Sequence, residues 1–135
     1  MANALYDKGR EGFLGKLIGW DTDDIRVILV DTADYTVALT THDFLDDVPV
    51  AARVKVSAAL TGKTIAAGVA DAADVTLSAV TGDPSEALVI YQHTGVESTS
   101  RLIAYIDTAT GLPVTPNGGD ITITWDNGAN KIFKL

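Results

Sequence analysis

The sequence predicts a mostly β domain, a β-sandwich or jelly roll with one short helix near its N-terminus. Thr, Val and Ile are abundant, whereas Lys, Glu, Gln and Met are sparse, and this balance favours strands over helices. Short apolar or alternating segments recur along the chain with Gly-, Pro- and Asp-rich turns between them. No helical pattern separates the later strands, which disfavours an α/β alternation.

The N-terminal segment 3–17 is the best helix candidate, with Asn3 as its N-cap. Its apolar residues follow three- and four-residue spacing: Leu5, Tyr6, Phe13, Leu14 and Leu17. Three glycines interrupt the segment, and each costs about 1 kcal/mol relative to Ala inside a helix. We therefore expect a helical arm at 1–20 that gains order by packing, and a β-sandwich at 21–135, as one globular domain overall.

The first half of the β region contains a strand at Ile25–Val30 whose continuous apolar character predicts burial on both faces. A short strand is expected at 35–39 and a single helical turn at 44–47, which Pro49 stops. The alternation at 53–59 predicts a strand. We expect the segment 64–67 to return beside it as the second half of a hairpin.

The second half contains another continuous apolar run, Ala87–Gln92, which we place in a central strand covered on both faces. The Gly- and Pro-rich segment 108–119 predicts the longest loop, and 126–128 carries a hairpin signal. The other strands predicted in this half are 75–79, 102–106, 121–125 and 131–135.

Composition excludes several classes of function. The net charge is −8, from 18 acidic and 10 basic residues, and the basic ones are scattered, so nucleic-acid binding is not expected. Without cysteine, the chain has no disulfide, thiolate metal site or Cys nucleophile. The apolar runs are too short to span a bilayer, and we expect no secretory signal at the N-terminus.

Catalytic patterns are missing from the sequence. The chain has two histidines, His42 and His93, and we expect both to be ordinary surface or edge residues. No Ser lies in a Gly-x-Ser-x-Gly elbow, and glutamates that could act as a facing carboxylate pair are scarce. We therefore expect that the protein is not an enzyme and uses no cofactor.

The acidic run Asp21, Asp23 and Asp24 is the best metal candidate, since hard cations bind several convergent oxygens. Asp31 and Asp34 could fold back toward it. The run lacks the Gly and Glu positions of an EF-hand loop, so we interpret it as a solvated turn before a strand and assign no metal site.

Exposed aromatic residues would support a different class of function, a sugar-binding face. The available residues are Trp20, Tyr35, Tyr91, Tyr105 and Trp125. Of these, Trp125 follows the alternating phase of the strand at 121–125, which favours packing in the core.

Three stretches of the sequence resemble the head decoration, or cement, proteins of tailed bacteriophages. The opening ALYDKGRE at 4–11 leads into the strand DIRVILVD at 24–31. The central stretch is GVADAADV at 68–75. The last stretch is TGLPVTPNGGD at 110–120, followed by ITITW and DNG up to residue 128. Together these stretches span nearly the whole chain.

The resemblance implies a virion structural protein that clamps neighbouring major capsid protein subunits from outside the shell. It implies a homo-oligomer, dimer or trimer, on the outer surface of a capsid assembled in the host cytoplasm, with no membrane or nucleic-acid partner. We expect the capsid contacts in the N-terminal segment and in the loop 108–119. The candidate contact residues are Phe13, Leu14, Leu17, Ile18 and Trp20.

Two alternatives stay open at this point. The first is another virion component, such as a tail or neck protein, which sequence reasoning does not separate from a decoration protein. The second is a carbohydrate-binding β-sandwich module.

Overall fold

The computed structural model describes residues 3–109, 111–126, 128–129 and 131–135, and it confirms a mostly β fold with one short N-terminal helix. The helix is α1, Asp7–Leu14. The first five strands are β1 Ala4–Leu5, β2 Ile25–Val30, β3 Arg53–Val56, β4 Thr64–Ala66 and β5 Val69–Asp71. The remaining strands are β6 Val75–Leu77, β7 Ala87–Gln92, β8 Leu102–Ile106, β9 Ile121–Ile123 and β10 Phe133–Lys134.

The main sheet is antiparallel, has five strands and follows the order β1-β8-β7-β2-β3. Strand β7 lies in its middle, and all six of its residues are buried. Strand β2 beside it is almost as well covered. The continuous apolar runs at Ile25–Val30 and Ala87–Gln92 therefore form the doubly covered central strands that the sequence predicts.

Side chains alternate along β2 and β7 and fill two separate hydrophobic cores, one on each face of the main sheet. On the first face, Val27 and Ile90 pack with Trp20, Leu77 and Trp125. The predicted burial of Trp125 is confirmed, and its indole Nε1 donates a hydrogen bond to the carbonyl of Ala73 at 3.1 Å.

The second face is covered by the segment between β2 and β3. Tyr35 and Val48 from this segment pack with Tyr6, Val89 and Tyr105. The segment holds two 3₁₀ turns, Leu45–Asp47 and Val50–Ala52, and the first confirms the helical turn expected at 44–47. The strand expected at 35–39 is wrong, because this stretch contains no strand.

Two smaller sheets lie over the first core: β10-β5-β4, and β6 paired with β9. The hairpin expected between 53–59 and 64–67 is wrong, because β3 pairs with β2 while β4 pairs with β5. The hairpin signal at 126–128 includes Asn127, which lies outside the described residues. The strands on either side of it pair elsewhere, β9 with β6 and β10 with β5.

The N-terminal segment is integrated into the fold. Residues Ala4–Leu5 form the edge strand β1 against β8, where the sequence predicts helix. The expected N-cap role of Asn3 is also wrong: its side chain accepts hydrogen bonds from the backbone N–H groups of Asp107 and Thr108, and Tyr6 occupies the cap position. The predicted division into 1–20 and 21–135 therefore does not correspond to a division in packing.

In the part of the chain described, no helix has the length and apolar character needed to cross a membrane.

Gly9 explains why a glycine-rich helix is useful here. A Cβ atom at this position would lie 2.8 Å from the carbonyl oxygen of Leu102 and 2.9 Å from that of Ile103. The helix therefore approaches the backbone of β8 more closely than any other residue type permits. The glycine lowers intrinsic helix stability and in exchange allows this tertiary contact.

We predict that Gly9→Ala lowers the free energy of unfolding by about 1–3 kcal/mol, the usual cost of overpacking a close contact, although Ala is the better helix former. Urea unfolding monitored by circular dichroism measures the change. Gly15→Ala at the exposed end of α1 is the matched control and should cost less, since its closest contact would be 3.2 Å from the Glu11 carbonyl oxygen. An equal decrease in the free energy of unfolding for Gly9→Ala and Gly15→Ala would contradict the packing explanation.

Candidate partner-binding surface

The turn that follows α1 displays two large apolar side chains to solvent. Leu14 is 81% exposed and Leu17 is 52% exposed. The helix ends at Leu14 with Gly15 as its C-cap, and Lys16 adopts a positive φ of 62° that reverses the chain. The N–H of Leu17 then donates to the carbonyl of Gly12 at 2.8 Å, which closes the turn. The two leucines therefore occupy a defined surface feature, which we call the leucine turn (residues 14–17).

The leucine turn is held in place from the body of the domain. Gln92, at the end of β7, donates from Nε2 to the carbonyl oxygen of Leu17 at 2.9 Å and to Oδ2 of Asp23 at 2.7 Å. The same Asp23 oxygen accepts a hydrogen bond from the N–H of Gly19 at 2.7 Å. This network joins the turn to a buried strand, so an apolar partner would meet a preorganised surface.

The structure divides the five predicted contact residues. Leu14 and Leu17 are exposed, and Phe13 is half-buried against the first core. Ile18 and Trp20 are buried in that core, so their side chains offer no surface to a partner, contrary to the expectation for these two. A contact by Phe13, Leu14 and Leu17 stays a prediction.

Trp20 has a structural explanation. Its indole Nε1 donates to the carbonyl of Asp71 in β5 at 2.9 Å, and its ring makes a T-shaped contact with the ring of Phe133 at a centroid distance of 5.2 Å. The ring of Phe13 also contacts Phe133, at 5.8 Å. The residue therefore ties the N-terminal segment to the three-stranded sheet.

A small apolar groove opens beside these rings, with a volume of about 200 Å³. The residues that shape it come from distant parts of the sequence: Phe13, Trp20, Ile65, Val69, Phe133 and Leu135. Sequence reasoning missed the last four as surface candidates, because they come together only through the nonlocal pairing of β10, β5 and β4. Their one sequence signal is apolar residues within short, turn-rich segments.

The carboxylates of Asp21, Asp23 and Asp24 are not among the groups of described residues that lie close enough together to share one ion. Asp24 forms an ion pair with Arg26 at 2.9 Å, and the hydrogen bonds from this guanidinium lower the pKa of the Asp24 carboxyl. Asp23 is engaged by Gln92 and Gly19. Among the described residues, carboxylates converge instead in two other groups, Asp31 with Asp34 and Asp83, and Asp43 with Asp46 and Asp47.

The two histidines lie in different surroundings, and neither lines the apolar groove. His42 stacks on Tyr35, whose hydroxyl lies 2.9 Å from His42 Nδ1 and 2.8 Å from the hydroxyl of Tyr6. His93 lies 3.3 Å from the Tyr91 hydroxyl. Both histidines contact tyrosine hydroxyls at the periphery of the second core, in keeping with a structural role.

The larger cleft, of about 910 Å³, lies between the main sheet and β9. Leu29 and Leu88 contribute to its apolar lining, and its charged residues are Asp120, Asp126 and Lys131. The described lining also includes the hydroxyls of Thr108, Thr122 and Thr124, and it contains no imidazole, the commonest general base. The expectation that the protein is not an enzyme stays a prediction.

The aromatic residues bear on the sugar-binding alternative. Both tryptophans and all four tyrosines are buried. Stacking on a sugar needs an exposed aromatic face, so the aromatic residues that suggested a carbohydrate-binding module no longer favour it.

Comparison with known proteins returns no matching family model and no matching curated protein. The likeness of the three stretches to phage decoration proteins therefore stays a prediction.

We predict that the buried tyrosines make the protein less stable in alkali. Burial raises the pKa of Tyr6 strongly and that of Tyr35 to about 12, from an ordinary value of 10.0. Above pH 10 the unfolded chain loses these protons first, so the free energy of unfolding falls as pH rises from 10 toward 12.

Urea unfolding at a series of pH values on both sides of this range measures the effect, and tyrosinate absorbance follows the ionisation. Tyr35→Phe should lower stability at neutral pH through the lost hydrogen bonds and should reduce the alkaline slope. A free energy of unfolding that stays level from pH 10 to 12 would contradict the prediction.

Proposed function

We propose that the protein is a structural component of a phage virion, which decorates the outer capsid and bridges major capsid protein subunits. The observation that supports this most directly is the leucine turn, where Leu14 and Leu17 are displayed on a turn anchored to the central sheet. Two large exposed apolar side chains on one anchored turn offer a partner a small, preorganised apolar contact.

The energetics suit a lattice partner. Full burial of a leucine contributes about 1.5–3 kcal/mol, so the two leucines alone give weak attachment. A capsid presents the same site many times, and a homo-oligomer that engages several sites at once gains affinity without new contacts. Small individual contacts are therefore sufficient for stable decoration of a shell.

Charge supports the same assignment. The chain carries a net charge of −8, which keeps free copies soluble and favours docking on a basic surface. The leucine turn contains no carboxylate, and its one charged residue is the exposed Lys16 between the two leucines. The partner site expected for the turn is an apolar depression, with basic capsid surface facing the acidic remainder of the domain.

Placement on the tail or neck of the virion is the second candidate within the same class. Labelling the protein in intact particles distinguishes the two: a signal spread over the head supports decoration, whereas a signal at one vertex or along the tail assigns it there.

We predict that Leu17→Glu weakens binding to empty shells by at least about tenfold, because burying an unpaired carboxylate and losing an apolar contact together exceed 1.4 kcal/mol. The shells are assembled from the major capsid protein encoded in the same genome. Co-sedimentation measures stoichiometric binding, and the thermal stability of the shells should rise with occupancy.

Val96→Glu is the matched control, since Val96 is 55% exposed, close to the 52% of Leu17, and is not part of the leucine turn. It introduces the same charge and should leave shell binding unchanged. Native-like circular dichroism of both variants shows that each is folded. Equal binding by the wild type and Leu17→Glu would remove the leucine turn as the anchor, and no binding by the wild type would overturn capsid decoration.

A further inference from the structure

The outer strand of the three-stranded sheet is open to solvent along its whole length. Strand β4 comprises Thr64, Ile65 and Ala66, and all three residues are exposed. Ile65 is 57% exposed and forms part of the wall of the apolar groove. The strand pairs with β5 on one side and with no strand of the described chain on the other.

The backbone N–H and C=O groups of Ile65 point toward the open side of β4. Ala67 and Gly68 form the two-residue turn between β4 and β5, with φ values of 52° and 77°. The residues that flank such a turn form a hydrogen-bonded pair, and hydrogen-bonded and non-hydrogen-bonded pairs alternate along the ladder. Ile65 and Ala70 therefore form a non-hydrogen-bonded pair, which turns the N–H and C=O groups of Ile65 away from β5.

A hydrogen bond on the other side of β5 agrees with this alternation of hydrogen-bonded and non-hydrogen-bonded pairs. The carbonyl of Ala70 accepts from the N–H of Ile132 at 3.1 Å, so Ala70 points toward β10 as the alternation requires. Across the sheet, Ala70 lies opposite both Ile65 and Phe133, and the three side chains share one face. The exposed edge thus combines a free donor–acceptor pair with a continuous apolar row.

Native proteins usually protect edge strands with charges, proline or a bulge. Strand β3, at the edge of the main sheet, carries Arg53 and Lys55, and its pairing with β2 has a register shift. Strand β4 has no charge, proline or bulge, and its only protection of this kind is its short length of three residues. The edge strands of the two-stranded sheet differ as well, because Leu77 and Ile123 turn inward and are buried there.

We propose that β4 is the interface for a second copy of this chain, which joins two three-stranded sheets into one six-stranded sheet across a two-fold axis. With Ile65 in the middle of the strand, antiparallel pairing brings the two Ile65 residues opposite each other, and they exchange both hydrogen bonds. Thr64 then faces Ala66 of the second copy. An isologous contact of this kind is self-complementary and closes as a dimer.

The charges favour a second copy at this edge. Each chain carries a net charge of −8, so two copies approach most easily where no carboxylates oppose each other. The strand β4 is uncharged, and the pairing places Lys63 of one chain opposite Ala67 of the other. The two Lys63 residues then lie at opposite ends of the ladder. The apolar row through Ile65 becomes continuous across the axis.

The absence of cysteine from the chain allows a direct test. Directly opposed residues in a hydrogen-bonded pair have Cα atoms about 5.5 Å apart, within the range that a disulfide spans. Ile65→Cys should therefore form a disulfide-linked dimer rapidly under mild oxidation. Val96→Cys, with nearly equal exposure, should cross-link much more slowly. Sedimentation velocity of the wild type over a wide concentration range should show a reversible dimer.

Ile65→Lys places a charge at the two-fold axis. The variant should be monomeric at concentrations where the wild type is a dimer, and its circular dichroism spectrum should match that of the wild type. The proposal supplies an interface for the homo-oligomer that capsid decoration invokes. It is tested on the isolated chain, so its failure is distinguishable from a failure of shell binding. A wild type that stays monomeric, with Ile65→Cys cross-linking no faster than Val96→Cys, would overturn it. A dimer that persists in Ile65→Lys would place the interface elsewhere and would overturn it as well.

Discussion

The double burial of strand β7 is the constraint on which the rest of the structure depends. Its six residues are covered on both faces, and β2 and β8 complete its hydrogen-bond ladders. A strand in this position needs apolar cover from both sides, so the chain must supply two cores. The two smaller sheets and Trp20 cover one face, and the segment between β2 and β3 covers the other. The need for apolar cover on both faces of β7 determines where the connecting segments must run.

The N-terminal segment has two functions in this arrangement. Gly9 lets α1 rest on the backbone of β8, and Trp20 closes the first core against β5 and β10. Because the segment is fixed at both ends, the residues between them can carry exposed Leu14 and Leu17 without loss of order. A surface for a partner is therefore built on the part of the chain that the sequence alone suggests is weakly structured.

The two proposed contacts involve neighbouring elements. Phe13, next to the leucine turn, contacts Phe133, and Phe133 shares a face with Ile65 on the open edge. Self-association through β4 uses the backbone edge of Thr64–Ala66, and Leu14 and Leu17 are not part of that strand. A dimer would then present two leucine turns at a fixed spacing, which is the geometry that multivalent attachment to a regular lattice requires.

The mostly β class, the strands at Ile25–Val30 and Ala87–Gln92, and the burial of Trp125 could be predicted from the sequence. They follow from local composition and from the two-residue period of side chains in a strand. The burial of Trp20 and Ile18, the role of Asn3 and the pairing of the short strands became known from the three-dimensional structure. Strand pairing and burial depend on contacts between residues far apart in sequence, and the residues of one short segment do not specify which other segment it pairs with.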